Sequence, residues 1–296
     1  MSTAIAAFHG AFGRATVYNV DRDFLPHAHR EGHLTFYVDG GTPVLSIDGV
    51  PRRLSRLVAG AVNPWQAHSL TVDSLAPGML CLVLYIRPHW FQSQSQDPQR
   101  RTMRFGTPFI ELTHAARLMV ERVVAGMLDL DSPARFETEL FDLTQVCFDM
   151  SWQAAQPRAG GPGTRIVGQD VRISRSLRLI ADGLTLGDPL LFECIARQAG
   201  LSRPHFFKLF REQLGLTPNL YLNTLRMEQA LTRLTRSRDP ITSIGLDLGF
   251  ASQASFSRFF MSNVGIPPSN YRRVAHWFEG ESLAKVLPDR FSGQLQ

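Results

Sequence analysis

Residues 199–210 read AGLSRPHFFKLF, and residues 248–260 read LGFASQASFSRFF. In each segment a glycine and an apolar residue precede a serine, and three apolar positions then recur on one face of a helix. A short helix, a turn centred on glycine and a second helix capped by serine form the pattern of a helix-turn-helix unit. Because the pattern occurs twice, we predict two such units in the C-terminal third of the chain.

The flanking residues complete both units. In the first unit, Asp188 and Pro189 are expected to start a helix with these buried residues: Leu191, Phe192, Ile195 and Ala199. In the second unit, Thr242 is expected to cap a helix that buries Ile244 and Leu248. Between the units, a helix from Pro218 to about Leu234 would set two recognition helices in successive major grooves, which lie about 34 Å apart.

Matches at fixed spacing over residues 170–273 resemble the DNA-binding domain of the AraC family (AraC/XylS regulators). The matching positions include Gly200, Leu201, Ser202, Phe206, Phe210, Thr217, Pro218, Tyr221, Arg226, Gly249, Phe250, Phe256, Phe260, Pro268 and Tyr271. The resemblance implies a transcription regulator that binds double-stranded DNA, with RNA polymerase as a partner if it activates.

By the same resemblance, the base-reading positions are Pro204, Phe207 and Lys208 in the first unit and Gln253, Ala254, Ser255, Ser257 and Arg258 in the second. Arginine pairs with guanine and glutamine with adenine, so Arg258 and Gln253 are the best candidates. Phe207 either contacts thymine methyl groups or packs inward. His205 is expected to contact a phosphate or to face solvent.

Charge is distributed unevenly along the chain. Residues 166–273 hold 14 Lys and Arg against 8 Asp and Glu, whereas residues 1–165 hold 15 of each. Such asymmetry is typical of a polyanion-binding segment joined to a neutral domain, although arginine-rich genome composition would also raise the count.

The N-terminal half alternates short apolar segments with turn signals from Phe12 to about Ile86, and Asp48-Gly49 predicts a tight hairpin. Helical spacing then begins at about Glu111 and continues to Trp152, with a break at Ser132-Pro133. These two helices either pack on the sheet and on each other or mediate self-association.

Four histidines resemble the short metal-binding motifs of a cupin barrel: His27, His29, His33 and His68. With Phe36 and Trp65 they are our candidate effector pocket, and both aromatic residues could instead serve the core. Imidazoles can bind transition metals. We favour a pocket without metal or cofactor, because a sensor needs differential binding rather than Lewis acidity.

The expected fold class is α+β. It comprises a cupin-like sensor barrel (1–108), accessory or dimerisation helices (109–157), a flexible linker (158–169), an all-α DNA-binding domain of two helix-turn-helix units (170–273), and a tail (274–296) that forms a short helix or frays. Three scattered cysteines and the lack of a leader or membrane-spanning run predict a cytoplasmic protein.

The leading hypothesis is a non-enzymatic homodimeric regulator controlled by a small-molecule effector. One alternative is control by a protein partner. The other is a metal-dependent cupin enzyme fused to the DNA-binding domain.

Overall fold

A computed structural model describes residues 3–73, 78–94, 103–128, 133–155, 170–186 and 191–277. The predicted linker 158–169 and residues 278–296 of the tail lie outside these ranges, as do Asp188 and Pro189. Within the described residues, no helix is both long and apolar enough to cross a membrane.

Two sheets form the N-terminal domain. The strands are β1 (Thr3–Gly10), β2 (Gly13–Val20), β3 (Phe24–His27), β4 (Gly32–Gly40), β5 (Val44–Ile47), β6 (Val50–Arg53), β7 (Val58–Val62), β8 (His68–Thr71), β9 (Met79–Ile86), β10 (Phe109–Glu111) and β11 (Ala275–Trp277). The seven-stranded sheet has the order β10-β7-β4-β9-β2-β1-β11, and the four-stranded sheet has the order β3-β8-β5-β6. All pairings are antiparallel except that of β1 with β11.

The predicted hairpin at Asp48-Gly49 joins β5 to β6. Both residues have positive φ, 49° and 79°, as a two-residue hairpin turn requires. The sequence does not predict β1, because its alanine-rich composition has low strand propensity.

The helices are α1 (Pro88–Gln94), α2 (His114–Leu128), α3 (Pro133–Ala154), α4 (Val171–Leu186), α5 (Phe192–Gln198), α6 (Arg203–Leu214), α7 (Pro218–Arg236), α8 (Ile241–Asp247), α9 (Gln253–Val264) and α10 (Pro268–Val274). The accessory segment begins with a strand, β10, before α2.

Two apolar interiors lie on opposite faces of the seven-stranded sheet. Leu82 and Leu84 of β9 point to one interior, where they meet Phe136 and Leu140 of α3. Val83 belongs to the other interior, which lies between the sheets and continues into the C-terminal helices. The apolar faces of α2 and α3 thus pack on the sheet, which is the first of the two alternatives.

Candidate functional site

The second helix-turn-helix unit consists of α8, a glycine turn and α9. Gly249 has a φ of +82°, and its N–H donates to the Leu246 carbonyl at 2.9 Å. The N–H of Phe250 donates to the Gly245 carbonyl at 3.0 Å, which closes the helix end. This geometry fixes the angle between α8 and α9.

The first unit, α5 and α6, has the same turn. Gly200 has a φ of +74°, and the Leu201 N–H donates to the Ala196 carbonyl at 2.8 Å. The second turn is one residue longer, because Ala251 stands between Phe250 and the capping serine. The predicted repeat is therefore present in the backbone as well as in the sequence.

The helix starts differ from some of our expectations. Ser252 caps α9 through a capping box with Ser255, as predicted, whereas the side chain of Ser202 makes no cap hydrogen bond. The expected cap at Thr242 is wrong, because α8 begins at Ile241 and its N-cap is Pro240. Leu191 is the N-cap of α5 and is 62% exposed, so it does not belong to the buried face.

Both recognition helices present the same pattern of burial. Phe206 and Phe210 of α6 are fully buried, as are Phe256 and Phe260 of α9. The opposite faces carry the expected base-reading positions. Exposed among them are Pro204, His205, Lys208, Gln253, Ala254 and Arg258.

The remaining expected positions are less free to contact bases. Phe207 is half-buried and packs edge-on against Phe192 and Phe206, which favours the inward alternative. The hydroxyl of Ser255 donates to the Ser252 carbonyl at 2.7 Å, so its donor is already used within the cap. Ser257 is half-buried.

α7 separates the two units. Thr217 caps it, and its 19 residues span about 28 Å at 1.5 Å per residue. A spacer of that length suits recognition helices that enter successive major grooves on one side of the duplex.

The helix that follows each unit contacts the N-terminal domain through an equivalent tyrosine. Tyr221, in the first turn of α7, stacks on Trp65 with ring centroids 5.0 Å apart. Tyr271, in the first turn of α10, has its hydroxyl 2.7 Å from the His9 Nε2 atom. Equivalent tyrosine contacts, one after each helix-turn-helix unit, therefore dock the DNA-binding domain on the barrel.

Two segments of the DNA-binding domain, β11 and the last turn of α9, pack on the barrel. β11 pairs in parallel with β1, which corrects the expectation that residues 275–277 form a helix or fray. Asn263 and Val264, at the C-terminal end of α9, line a cavity together with His27 and His33. The recognition helix therefore exposes its first turns and buries its last turn against the barrel.

The four predicted histidines come together inside the barrel. His27 on β3 lies opposite His68 on β8, with ring centroids 4.3 Å apart. His33 on β4 lies 4.6 Å from His68, and His29, between β3 and β4, lies 5.1 Å from it. Burial lowers the pKa of each imidazole, that of His33 to about 3, so all four are neutral at physiological pH.

Hydrogen bonds fix two of the tautomers. The Nδ1–H groups of His27 and His68 donate to backbone carbonyls, those of Leu25 at 2.7 Å and Gln66 at 2.9 Å. Each neutral ring therefore keeps its lone pair on Nε2, and this second hydrogen bond is typical of histidines that bind metal. The Nε2 atoms of His29 and His68 have no partner.

These residues fit a transition-metal ion. One ligand nitrogen from each of His27, His29 and His68 lies within 4.8 Å of the other two. Tetrahedral zinc with bonds of 2.0–2.1 Å needs nitrogens about 3.4 Å apart, which is within this upper limit. Three neutral imidazoles would hold the ion and leave a coordination position open.

The other two members of the expected effector pocket lie elsewhere. Phe36 points to the opposite face of the seven-stranded sheet from His33, because successive side chains of β4 alternate. Trp65 lies against α7, as described above. The histidine cavity itself measures about 30 Å³, which is room for an ion or one or two waters rather than an organic molecule.

Comparisons with known proteins agree with this architecture. A family profile described as a helix-turn-helix domain matches residues 195–274. The transcriptional activator RhaS of Citrobacter koseri is 24% identical over 257 residues, which cover 84% of this chain and 87% of RhaS. Residues 195–274 are therefore a helix-turn-helix domain of the AraC type.

Other relatives match over a shorter stretch. An uncharacterised regulator of Haemophilus influenzae is 31% identical over 81 residues, which cover 27% of each chain. Regulator Rv1931c of Mycobacterium tuberculosis is 32% identical over 80 residues, 31% of its length. This chain therefore spans about a third or less of these two relatives.

The solved structures extend the likeness to both domains. An apo variant of ToxT from Vibrio cholerae aligns over 88% of this chain and 96% of its own, with a TM-score of 0.54 and 14% identity. The fold class is therefore α+β, with a cupin-like N-terminal domain and a C-terminal helix-turn-helix domain, as predicted.

Proposed function

We propose that this chain is a sequence-specific, DNA-binding transcription regulator. The observation that carries the proposal is the repetition of a helix-turn-helix unit whose recognition helices expose the same face. Arg258 and Gln253 are the proposed base readers of α9, and Lys208 is the proposed reader of α6. The Gln253 carbonyl oxygen accepts a hydrogen bond from the Thr242 hydroxyl, and its amide N–H₂ group is the proposed donor to adenine.

Binding of the full chain to duplex DNA should weaken steeply between low and physiological salt, since basic side chains displace counterions from the phosphates. Arg203→Ala, at the exposed start of α6, should reduce the salt slope by about one. Arg135→Ala, on the remote helix α3, should leave it unchanged. An affinity that does not depend on salt, measured by fluorescence anisotropy, would contradict the proposal.

We further propose that a ligand of the N-terminal domain controls this activity. Support comes from the contact between the barrel cavity and the end of α9. ToxT has been solved with an unsaturated fatty acid bound, and we extend only the idea of a small-molecule effector to this chain. The histidine cavity is too small for such a molecule, so an organic effector needs a different cavity of the barrel.

A transition-metal ion as the signal is a second candidate, favoured by the spacing of His27, His29 and His68. Isothermal titration should then detect one zinc ion per chain, and His29→Ala should abolish binding whereas His114→Ala, on the exposed start of α2, should not. Zinc binding that survives His29→Ala would remove this candidate. Our expectation of a metal-free pocket stands until that titration.

Assembly and partners are also proposals. The barrel is proposed to form a homodimer through α2 and α3, where Leu118 and Leu128 stay exposed although most apolar side chains are used on the sheet. RNA polymerase is the proposed partner if the chain activates transcription. The relatives described above are transcription regulators, which favours a non-enzymatic role and a cytoplasmic location.

A further inference from the structure

Arg14 on β2 is a buried cation without a carboxylate partner. The side chain is among the buried charged residues, at 6% exposure, and its Nη1 atom has no hydrogen-bond partner. Its guanidinium lies 3.6 Å from the centre of the Tyr85 ring. No aspartate or glutamate of the described residues forms an ion pair with it.

The polar groups around Arg14 are phenols. Burial raises the pKa of Tyr18, Tyr85 and Tyr271, that of Tyr85 to about 12, so all three are neutral at physiological pH. An aromatic face offsets part of the desolvation cost of a cation, but it supplies no negative charge. Because buried charges are normally paired, the missing anion is expected to come from outside the chain.

A cleft of about 420 Å³ opens beside Arg14, between the barrel and α7. This volume falls within the range of small-molecule sites. Arg30 and Arg87 add two more cations to its wall, and the acids Glu31 and Glu228 also face it. Glu228 lies 3.3 Å from Arg30, and three arginines against two acids keep the cleft net positive whether or not Glu228 is ionised.

The opposite wall belongs to the DNA-binding domain. Met227 and Leu231 of α7 provide apolar surface, and Thr224 of α7 donates a hydrogen bond to the Ala28 carbonyl of the barrel at 3.1 Å. A molecule in this cleft would therefore touch the barrel and the helix that joins the two helix-turn-helix units.

We propose that the cleft binds a small organic anion whose carboxylate pairs with Arg14 and whose apolar part lies along Met227 and Leu231. This inference rests on the proposed function, because it assigns the effector class and places the effector where it ties the barrel to α7. The Arg14 fork can hold a carboxylate through two parallel hydrogen bonds.

The test titrates the full-length protein with sodium acetate, benzoate and octanoate against sodium chloride of equal ionic strength. Benzoate and octanoate should bind in calorimetry and raise Tm, and chloride should not. Arg14→Met should weaken binding at least about 30-fold, the usual effect of truncating one partner of a buried charge pair. Arg135→Met, at an exposed site on α3, should bind as the wild type does.

Two results would overturn the inference: none of the three carboxylates binds the wild type, or Arg14→Met binds them unchanged. If Arg14→Met does not fold, Arg14→Lys decides, because loss of the planar fork should weaken binding about tenfold and an unchanged affinity contradicts the proposal. DNA binding is measured on the same preparations. Wild-type protein that binds DNA but no carboxylate refutes only this inference, whereas protein that binds no DNA refutes the proposed function.

Discussion

Glu228 is a single residue through which pH can change the stability of the contact between the two domains. It lies on α7 and faces Arg30 of the barrel, with 3.3 Å between the Arg30 Nε atom and a carboxylate oxygen. Burial raises its pKa to about 8 from a model-compound value of 4.5, although Arg30 acts in the opposite direction. An acid with a raised pKa favours the folded, docked state below its unfolded pKa and loses that contribution as pH rises through its folded pKa.

In thermal unfolding, the Tm of Glu228→Gln should therefore increase relative to that of the wild type as pH rises from 4.5 to 8, because only the wild type loses this contribution. The buried histidines have lowered pKa values and affect both proteins equally, so the comparison rests on the difference between the two Tm values. Glu121→Gln, on the exposed face of α2, serves as the control and should follow the wild type. Parallel profiles for wild type and Glu228→Gln would show that Glu228 ionises normally.

Buried charged residues such as Glu228 could not be identified from the sequence. The four histidines carry a spacing motif, and the structure brings their rings close together, although His27, His33 and His68 line one cavity and His29 lines the cleft beside α7. Arg14 and Glu228 belong to no motif, since their burial arises only where β2 and α7 meet other elements. Phe36 and Trp65 lie apart from the histidine cavity for the same reason, because an aromatic residue in the sequence does not say which face of a strand or turn its side chain occupies.

At the scale of elements, the two glycine turns are the features that the sequence predicts most directly. Gly200 and Gly249 both have positive φ, and both follow the last turn of a helix, as the sequence pattern indicates. Their surroundings differ, since a Cβ at Gly200 would meet nothing within 4 Å, whereas one at Gly249 would lie 2.9 Å from the Arg226 guanidinium.

Gly200→Ala should destabilise the fold by about 1–2 kcal/mol, the cost of a left-handed backbone at a residue with a Cβ. Gly249→Ala should cost more, because it must also displace Arg226 from its place over Phe250, where the two groups lie 5.2 Å apart. Urea denaturation of the two variants compares these costs directly. A smaller loss at Gly249 than at Gly200 would argue against the Arg226 contact.

Caps were harder to predict than turns. Ser252 and Thr242 look equally suitable in sequence, yet only Ser252 accepts a backbone N–H, because α8 already begins at Ile241. A one-residue shift of a helix start changes which hydroxyl can reach the free N–H groups. Composition and spacing decide that a helix exists, and packing decides where it begins.

At the scale of the molecule, the arrangement of the domains could not be predicted from the sequence. The sequence predicts only a flexible linker (158–169) between the domains, whereas β11, Tyr221 and Tyr271 join the DNA-binding domain to the barrel. Each contact unites residues about 150 or more positions apart, and no local pattern reports such pairings. The docked arrangement leaves the first turns of α6 and α9 open to solvent, which is compatible with binding to DNA.

The most direct test of two cooperating recognition helices is selection of bound sequences from a random duplex library with the full-length protein. We expect an enriched motif of two half-sites about 10 base pairs apart, one for each helix. Arg258→Ala should lose base preference at one position of one half-site, at a cost of about 1–3 kcal/mol there, and keep the other half-site intact. A motif with a single half-site, or no enrichment at all, would contradict the account.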